Sequence, residues 1–101
     1  MTDSTAILDV VAERARQQSE EGWTVEHDDE HTHGGLAQAA ACYAVHHTAM
    51  SFVVMNNWGD CWPWDDMWWK PSGARRNLVK AAALLIAEIE RLDRLAVAIA
   101  P

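Results

Sequence analysis

The sequence lacks any long hydrophobic run. Half of its 101 residues are hydrophobic, yet no uncharged apolar stretch approaches the roughly 18–20 residues needed to cross a bilayer. The first residues, MTDSTAILDVV, also lack the basic segment that opens a secretory signal. These two absences argue against a membrane partner and against secretion, so we expect a cytoplasmic protein.

Cysteine and positive charge are also scarce. Cys42 and Cys61 are too few for a disulfide framework and lack CxxC spacing, so we interpret them as ordinary thiols. Eight lysines and arginines against fifteen acidic residues give a formal net charge of −7. Proteins that bind a nucleic acid polymer usually neutralise several phosphates with a basic face, so we expect no such partner. A small ligand with a few phosphates needs only a local basic patch.

The length suits one helical domain, 1–101, with a single site. Apolar spacing and end signals predict a first helix over Asp3–Glu21, with Asp3 or Ser4 as its cap and Gly22 at its end. A second helix is predicted over Leu36–Val54 and a third from Ser72 or Gly73 to about Ala98. The polar segment 23–35 and the tryptophan-rich segment are predicted to be ordered loops. The expected fold is therefore all-α, a small bundle of three main helices.

The third helix carries an apolar seam with alternating steps of four and three residues. Its positions are Leu78, Ala82, Leu85, Ile89, Leu92, Ala96 and Ile99. Ala81, Leu84 and Leu95 widen this stripe beyond what one short partner helix could cover. Packing within the chain is one explanation, but three helices of this length leave little core to share, so we expect homo-oligomerisation.

The stretch CWPWDDMWWKPSGARR puts aromatic and basic residues together. Four tryptophans (Trp62, Trp64, Trp68 and Trp69) cannot all point the same way, so at least one should form the wall of a cavity, where an indole can stack on a base. Lys70, Arg75 and Arg76 lie near the start of the third helix, where free backbone N–H groups favour an anion. Alternatively, the tryptophans close the end of the bundle and the cations pair with the acidic segment before the second helix.

That acidic segment, EEGWTVEHDDEHTH, offers carboxylates and histidines within a short reach. His27, His31 and His33 raise the idea of zinc, but the spacing His27-x3-His31 suits a helix rather than the expected loop. Magnesium would need carboxylates that meet a substrate phosphate, and Glu21, Asp28, Asp29 and Glu88 could supply them. The competing interpretation is a solvated acidic loop that caps the second helix or pairs with Arg75 and Arg76.

The blocks EEGWTVEHDDEH, LAQAAACYA, WPWDDMWWKP and RRNLVKAAALLIAEIERLDR resemble a family of small uncharacterised phage and prophage proteins. The resemblance spans roughly residues 20–94 and implies a bacterial host. The arrangement also distantly resembles the all-helical MazG-like nucleoside-triphosphate pyrophosphohydrolases, whose pattern needs two acidic pairs on successive helices. Here the central helix has no acid, and Gly35 stands where the phage family has a glutamate. The resemblance therefore implies ligand binding rather than catalysis.

We accordingly predict a protein that captures a phosphate-bearing nucleotide, as a phage protein that sequesters a host immune signal would do, without a metal or other cofactor. The expected ligand-binding residues are Trp23, His27, Asp28, Asp29, Trp62, Trp64, Trp68, Trp69, Lys70, Arg75 and Arg76. The enzyme alternative is a magnesium-dependent pyrophosphohydrolase or phosphodiesterase that uses Glu21, Asp28, Asp29 and Glu88, with Asp93 as a further candidate. A third alternative is a regulator that binds a protein through its tryptophans.

Overall fold

The computed structural model describes residues 3–51 and 62–101. The α-helices in these ranges are α1 (Thr5–Ser19), α2 (Val25–Asp29), α3 (Gly35–Val45) and α4 (Ala74–Ile99), and a 3-10 turn spans Asp66–Trp68. The described residues contain no strand, which confirms the all-α class. Within the same residues no helix combines the length and apolar character needed to cross a membrane.

The ends of the first and last helices follow their sequence signals. The Ser4 side chain accepts a hydrogen bond from the Ile7 backbone N–H (3.2 Å) and so caps α1. Gly22 has a φ of +73°, a left-handed conformation that glycine adopts without steric cost, and the chain reverses there. Gly73 is the N-cap of α4, so both of these helices are confirmed to within two residues at each end.

Two predicted boundaries are wrong. Part of the predicted loop 23–35 is helical, because the Thr24 hydroxyl accepts from the His27 N–H (3.3 Å) and nucleates α2. The predicted helix Leu36–Val54 ends at Val45, where the Thr48 hydroxyl donates to the Val45 carbonyl (2.8 Å) and the chain turns. The predicted continuation through Phe52–Val54 lies outside the described residues.

Helix α4 is the centre of the fold and packs against both α3 and α1. Its buried positions include Ala81, Leu84 and Ala87, which form one core cluster with the buried face of α3. That face contributes the side chains of Leu36, Ala39, Ala40, Cys42 and Tyr43. The many alanines let the helices approach closely, and the larger rings of Trp23 and Trp62 complete the core.

Helix α1 turns polar rather than apolar side chains toward the core. The apolar positions Ile7, Leu8 and Val11 are exposed, whereas Glu13 and Gln17 are almost completely buried. Glu13 can be buried because Arg16 of α1 and Arg76 of α4 pair with it, and the Gln17 amide donates to the same carboxylate. The apolar side of α1 is left facing outward.

Candidate functional site

The tryptophan-rich segment is anchored on α3 through Trp62 and Tyr43. The Trp62 ring is 5% exposed and packs edge-on against the Tyr43 ring at 5.5 Å, and its indole N–H donates to the Asp65 carbonyl (3.1 Å). The Tyr43 hydroxyl accepts from the Lys70 backbone N–H (3.1 Å). The rings of Trp64 and Trp69 also lie within 5.4 Å of it, so Trp62 is mainly a core residue rather than an open stacking platform.

The next tryptophans meet the start of α2 in an aromatic cluster. The Trp23 ring lies 5.4 Å from Trp64, 6.3 Å from Trp68 and 6.4 Å from His27, with the last pair stacked nearly parallel. The His31 ring lies 4.9 Å from Trp64. Three indoles and two imidazoles from α2, its flanks and the tryptophan-rich segment thus share one surface.

Two open clefts border this cluster. The first, which we call the aromatic cleft, has a volume of about 250 Å³ and is lined by Trp23, His27, His31, Trp64, Asp65 and Trp68. The second, which we call the α3 cleft, has a volume of about 490 Å³ and is lined by Glu30, His31, Thr32, His33, Gly35, Gln38, Trp62, Pro63 and Trp64. His31 and Trp64 belong to both linings, so the two clefts adjoin.

Gly35, the first residue of α3, lies against the Trp64 ring, which lines both clefts. A Cβ atom at Gly35 would lie 3.3 Å from the Trp64 indole nitrogen, which is tighter than most real contacts. Glycine therefore allows the indole to lie against the start of the helix. Gly34 before it offers no side-chain cap to the first turn of α3.

Several polar atoms beneath the cluster are buried without a hydrogen-bond partner. Among the described residues these include His27 Nδ1, His31 Nε2 and Asp28 Oδ1. Burial, followed by the neighbouring His27, lowers the pKa of His31, so its ring is neutral near pH 7. The His31 ring therefore contributes an uncharged face to the aromatic cleft.

Of the three expected cations only Lys70 lies beside the tryptophans, and this corrects the sequence-based site for Arg75 and Arg76. Arg75 pairs with Asp9 (2.8 Å), Arg76 pairs with Glu13, and Lys70 pairs with Glu21 (3.3 Å). Lys70 stays near the cluster, with Nζ 5.6 Å from the Trp68 ring centroid, but it lines neither cleft. The alternative interpretation, that the cations pair with the acidic segment, describes only the pair of Lys70 with Glu21. Arg75 and Arg76 pair with carboxylates of α1 instead.

The expected carboxylate cluster is also dispersed. Glu21 pairs with Arg16 and Lys70, and the remaining three pair with different arginines: Asp28 with Arg14, Asp29 with Arg94 and Glu88 with Arg91. Across residues 3–51 and 62–101, no group of three or more histidine, cysteine or acidic side chains could hold a metal ion. Asp28 is completely buried, so it cannot reach a ribose or a base in an open cleft.

The structure therefore retains part of the predicted site. Trp23, His27, Trp64 and Trp68 line the aromatic cleft, and Trp62 lines the α3 cleft. Trp69 instead packs between Tyr43, His46 and Trp62, and it joins Asp28, Asp29, Lys70, Arg75 and Arg76 outside both linings. Sequence reasoning missed His31 and Asp65 as lining residues. His31 follows the C-cap of α2, so no helical spacing in the sequence indicated its position in the cleft.

A buried ion-pair cluster on α1 was also missed. The Glu13 carboxylate accepts from Arg16 (2.7 and 2.9 Å), from Gln17 (3.1 Å) and from Arg76. Burial alone would raise the pKa of Glu13, but the guanidinium groups of Arg16 and Arg76 outweigh it, and the pKa lies below its usual value of 4.5. The same balance, with Arg16 and Lys70 as partners, lowers the pKa of Glu21.

These two carboxyl groups predict acid sensitivity. A carboxyl with a lowered folded-state pKa stabilises the fold fully above its unfolded pKa, and this stabilisation is lost as the pH falls through the folded value. We expect the free energy of unfolding, measured by urea denaturation, to decrease as the pH drops below about 4.5. Glu13→Gln should be less stable at pH 7 and show a shallower decrease, whereas equal slopes would contradict the assignment.

Comparison with protein families, curated proteins and solved structures finds no match to the chain.

Proposed function

We propose that the protein binds the base of a nucleoside or nucleotide in the aromatic cleft. The observation behind this proposal is that three indoles and two imidazoles line one open cleft of about 250 Å³. Aromatic faces bind planar bases of any sequence by stacking, worth about 1–3 kcal/mol per base. Trp64 and Trp68 are half-buried, so each ring keeps some surface for a ligand.

The adjoining α3 cleft gives room for the rest of the ligand. The aromatic cleft alone is smaller than the roughly 300–1,000 Å³ of typical small-molecule sites, but the two clefts together reach that range. The first turn of α3 borders the second cleft at Gly35, and free backbone N–H groups at a helix start favour a phosphate. No lysine or arginine is among the residues that line the two clefts, so we expect the base to contribute more affinity than the phosphates.

The positions of the carboxylates favour binding of the nucleotide without hydrolysis. Glu21, Asp28, Asp29 and Glu88 are each held by an arginine, and they do not converge on either cleft. A protein that captures a nucleotide without altering it fits the sequence resemblance to phage proteins, in which sequestration of a host signal is one use. We therefore propose capture rather than hydrolysis.

The first test measures affinity by titration calorimetry against nucleosides, mononucleotides and cyclic dinucleotides. Trp64→Ala should weaken binding of the best ligand about 5- to 150-fold, which corresponds to the stacking energy of one indole. Trp64→Phe should retain most of the affinity because it keeps an aromatic face. Met67→Ala, a substitution on the exposed side of the same segment, and Arg75→Ala, which removes a cation remote from the clefts, are the controls and should bind like the unaltered protein.

The outcomes of this test are distinct. A panel in which no ligand binds at millimolar concentration, or an affinity unchanged by Trp64→Ala, would contradict the proposal. A large loss in Arg75→Ala would instead restore the sequence-based phosphate site. Incubation with the ligand and magnesium, followed by denaturation and chromatography, should return the ligand intact, and a new monophosphate or pyrophosphate would favour the enzyme.

A further inference from the structure

The apolar seam of α4 lies on the surface of the chain. Leu78, Leu85, Ile89 and Leu92 are between 46% and 57% exposed. They recur at the four- and three-residue steps that place side chains along one side of a helix. A row of half-exposed leucine and isoleucine side chains along about four turns is unusual for a surface that faces water.

The core of the chain uses a different side of the same helix. Asn77, Ala81, Leu84 and Arg91 are buried toward the rest of the protomer, whereas the seam positions beside them stay open. The packing of α4 against α1 and α3 therefore leaves the seam unused.

The same apolar surface continues onto α1. Ile86 of α4 meets Ala6, Ile7, Val10 and Val11 of α1 around a hollow of about 240 Å³ lined only by aliphatic side chains. Ile7 and Val11 are themselves at least half exposed, because α1 turns its polar side inward. Two helices thus form one broad apolar face.

The size of this face fits a second copy of the chain. Half-exposed aliphatic side chains leave on the order of 90 Å² each, so the face presents roughly 700 Å² per protomer, more than the largest patch of a typical monomer. A stable interface buries about 800 Å² per partner. A two-fold dimer requires a patch that is complementary to itself, and a seam made only of alanine, leucine and isoleucine meets that requirement.

The order of large and small residues along the seam indicates whether two α4 helices pair in a parallel or an antiparallel arrangement. In a parallel, in-register pair Ala82 and Ala96 would each face the same alanine, which leaves two poorly filled layers. In an antiparallel pair centred between Leu85 and Ile89, Ala82 faces Leu92 of the partner subunit and Ala96 faces Leu78 of the partner subunit. Each of these layers then combines a small residue with a large one, which fills the space between helices.

We propose that two copies of this chain pair through the α1–α4 apolar face, with their α4 helices antiparallel about a two-fold axis between Leu85 and Ile89. This inference is independent of the aromatic cleft, because no residue of the seam lines it. The dimer covers the exposed row of α4. The residues that line the two clefts lie on other elements of the chain.

Sedimentation over 5–200 µM tests the pairing. The unaltered protein should sediment at twice the 11.3 kDa chain mass. Leu85→Glu and Ile89→Glu each place like charges near the axis, and each should raise the dissociation constant of the dimer at least about a hundredfold. Both positions are half exposed in the protomer, so circular dichroism should show helical monomers. Met67→Glu, which adds the same charge at an exposed site of the tryptophan-rich segment, should remain dimeric.

Disulfide trapping tests the direction. In a Cys61→Ser background, a mixture of Ala82→Cys and Leu92→Cys chains should form the mixed disulfide on oxidation, and Ala82→Cys alone should not cross-link. A cross-link in Ala82→Cys alone would overturn the antiparallel arrangement. A monomer at 200 µM, a dimer that survives both glutamate substitutions, or a monomer whose apolar face instead binds lipid vesicles would overturn the proposed pairing.

Discussion

Asp28→Ala is expected to lower the free energy of unfolding by about 3–5 kcal/mol, since removing one partner of a buried ion pair leaves the other charge uncompensated. Asp28 is 0% exposed, and its carboxylate accepts from Arg14 Nη2 at 2.6 Å, where the Arg14 side chain is only 8% exposed. After the substitution the solvent-exposed Glu90 is the acidic partner that Arg14 keeps among the described residues. For a domain of this size the loss corresponds to a fall in Tm of roughly 15–30 °C, measurable by thermal melts and urea titration.

The adjacent residue supplies the control. Asp29→Ala removes the same side chain from the same helix, and Asp29 pairs with Arg94 at a similar distance of 2.7 Å. Both members of that pair are substantially exposed, so water replaces the lost contact and the expected cost is below about 1 kcal/mol. Equal destabilisation by the two substitutions would show that the burial of Asp28 has no energetic consequence. Recovery of stability in a double variant, Asp28→Leu with Arg14→Met, would further support the uncompensated charge as the cause.

Trp62→Ala is expected to have an effect of similar size, about 3–5 kcal/mol, because it deletes a large buried ring. The Trp62 indole packs against Tyr43, Trp64 and Trp69 with ring centroids between 4.9 and 5.5 Å, and it joins the tryptophan-rich segment to α3. Its loss should also weaken ligand binding, because Trp64 loses a neighbour that fixes its position. Urea denaturation gives the stability, and calorimetry gives the affinity.

Met67→Ala is the control, because it truncates an exposed side chain of the same segment. Met67 is 68% exposed, so we expect its truncation to change the free energy of unfolding by less than about 0.5 kcal/mol. A loss of under 1 kcal/mol in Trp62→Ala would contradict the assignment of Trp62 to the core. It would favour the sequence-based prediction that Trp62, like the other three tryptophans of the segment, is a ligand-binding residue.

Much of the helical framework could be predicted because its signals are local. Ser4 and Gly73 mark helix starts through their own backbone geometry, and the four- and three-residue steps of α4 are visible in the sequence. The short helix α2 was missed because its polar composition resembles a loop, while its Thr24 cap is a weak signal in so short an element. Helix α3 was predicted too long, since alanine and valine continue past Val45 and only the Thr48 side chain shows the turn.

The candidate site was predictable in its residue types and only partly in its geometry. Trp23, His27, Trp64 and Trp68, which the sequence analysis assigns to a ligand site, line one cleft. The basic residues were assigned to the same cleft because they follow the tryptophans closely in sequence. In the fold Arg75 and Arg76 lie on α4 against α1, where Asp9 and Glu13 hold them.

The sequence by itself determined the all-α class, the caps of α1 and α4, and the apolar seam of the last helix, because each depends on residues within a few turns of one another. Only the tertiary structure decided which charges are neutralised, which rings are buried and which side of α1 faces the core. Those outcomes depend on contacts between residues up to 76 positions apart, as in the pair of Arg14 with Glu90. The free energy of burying a charge or a ring is set by such distant neighbours, and local sequence pattern does not contain it.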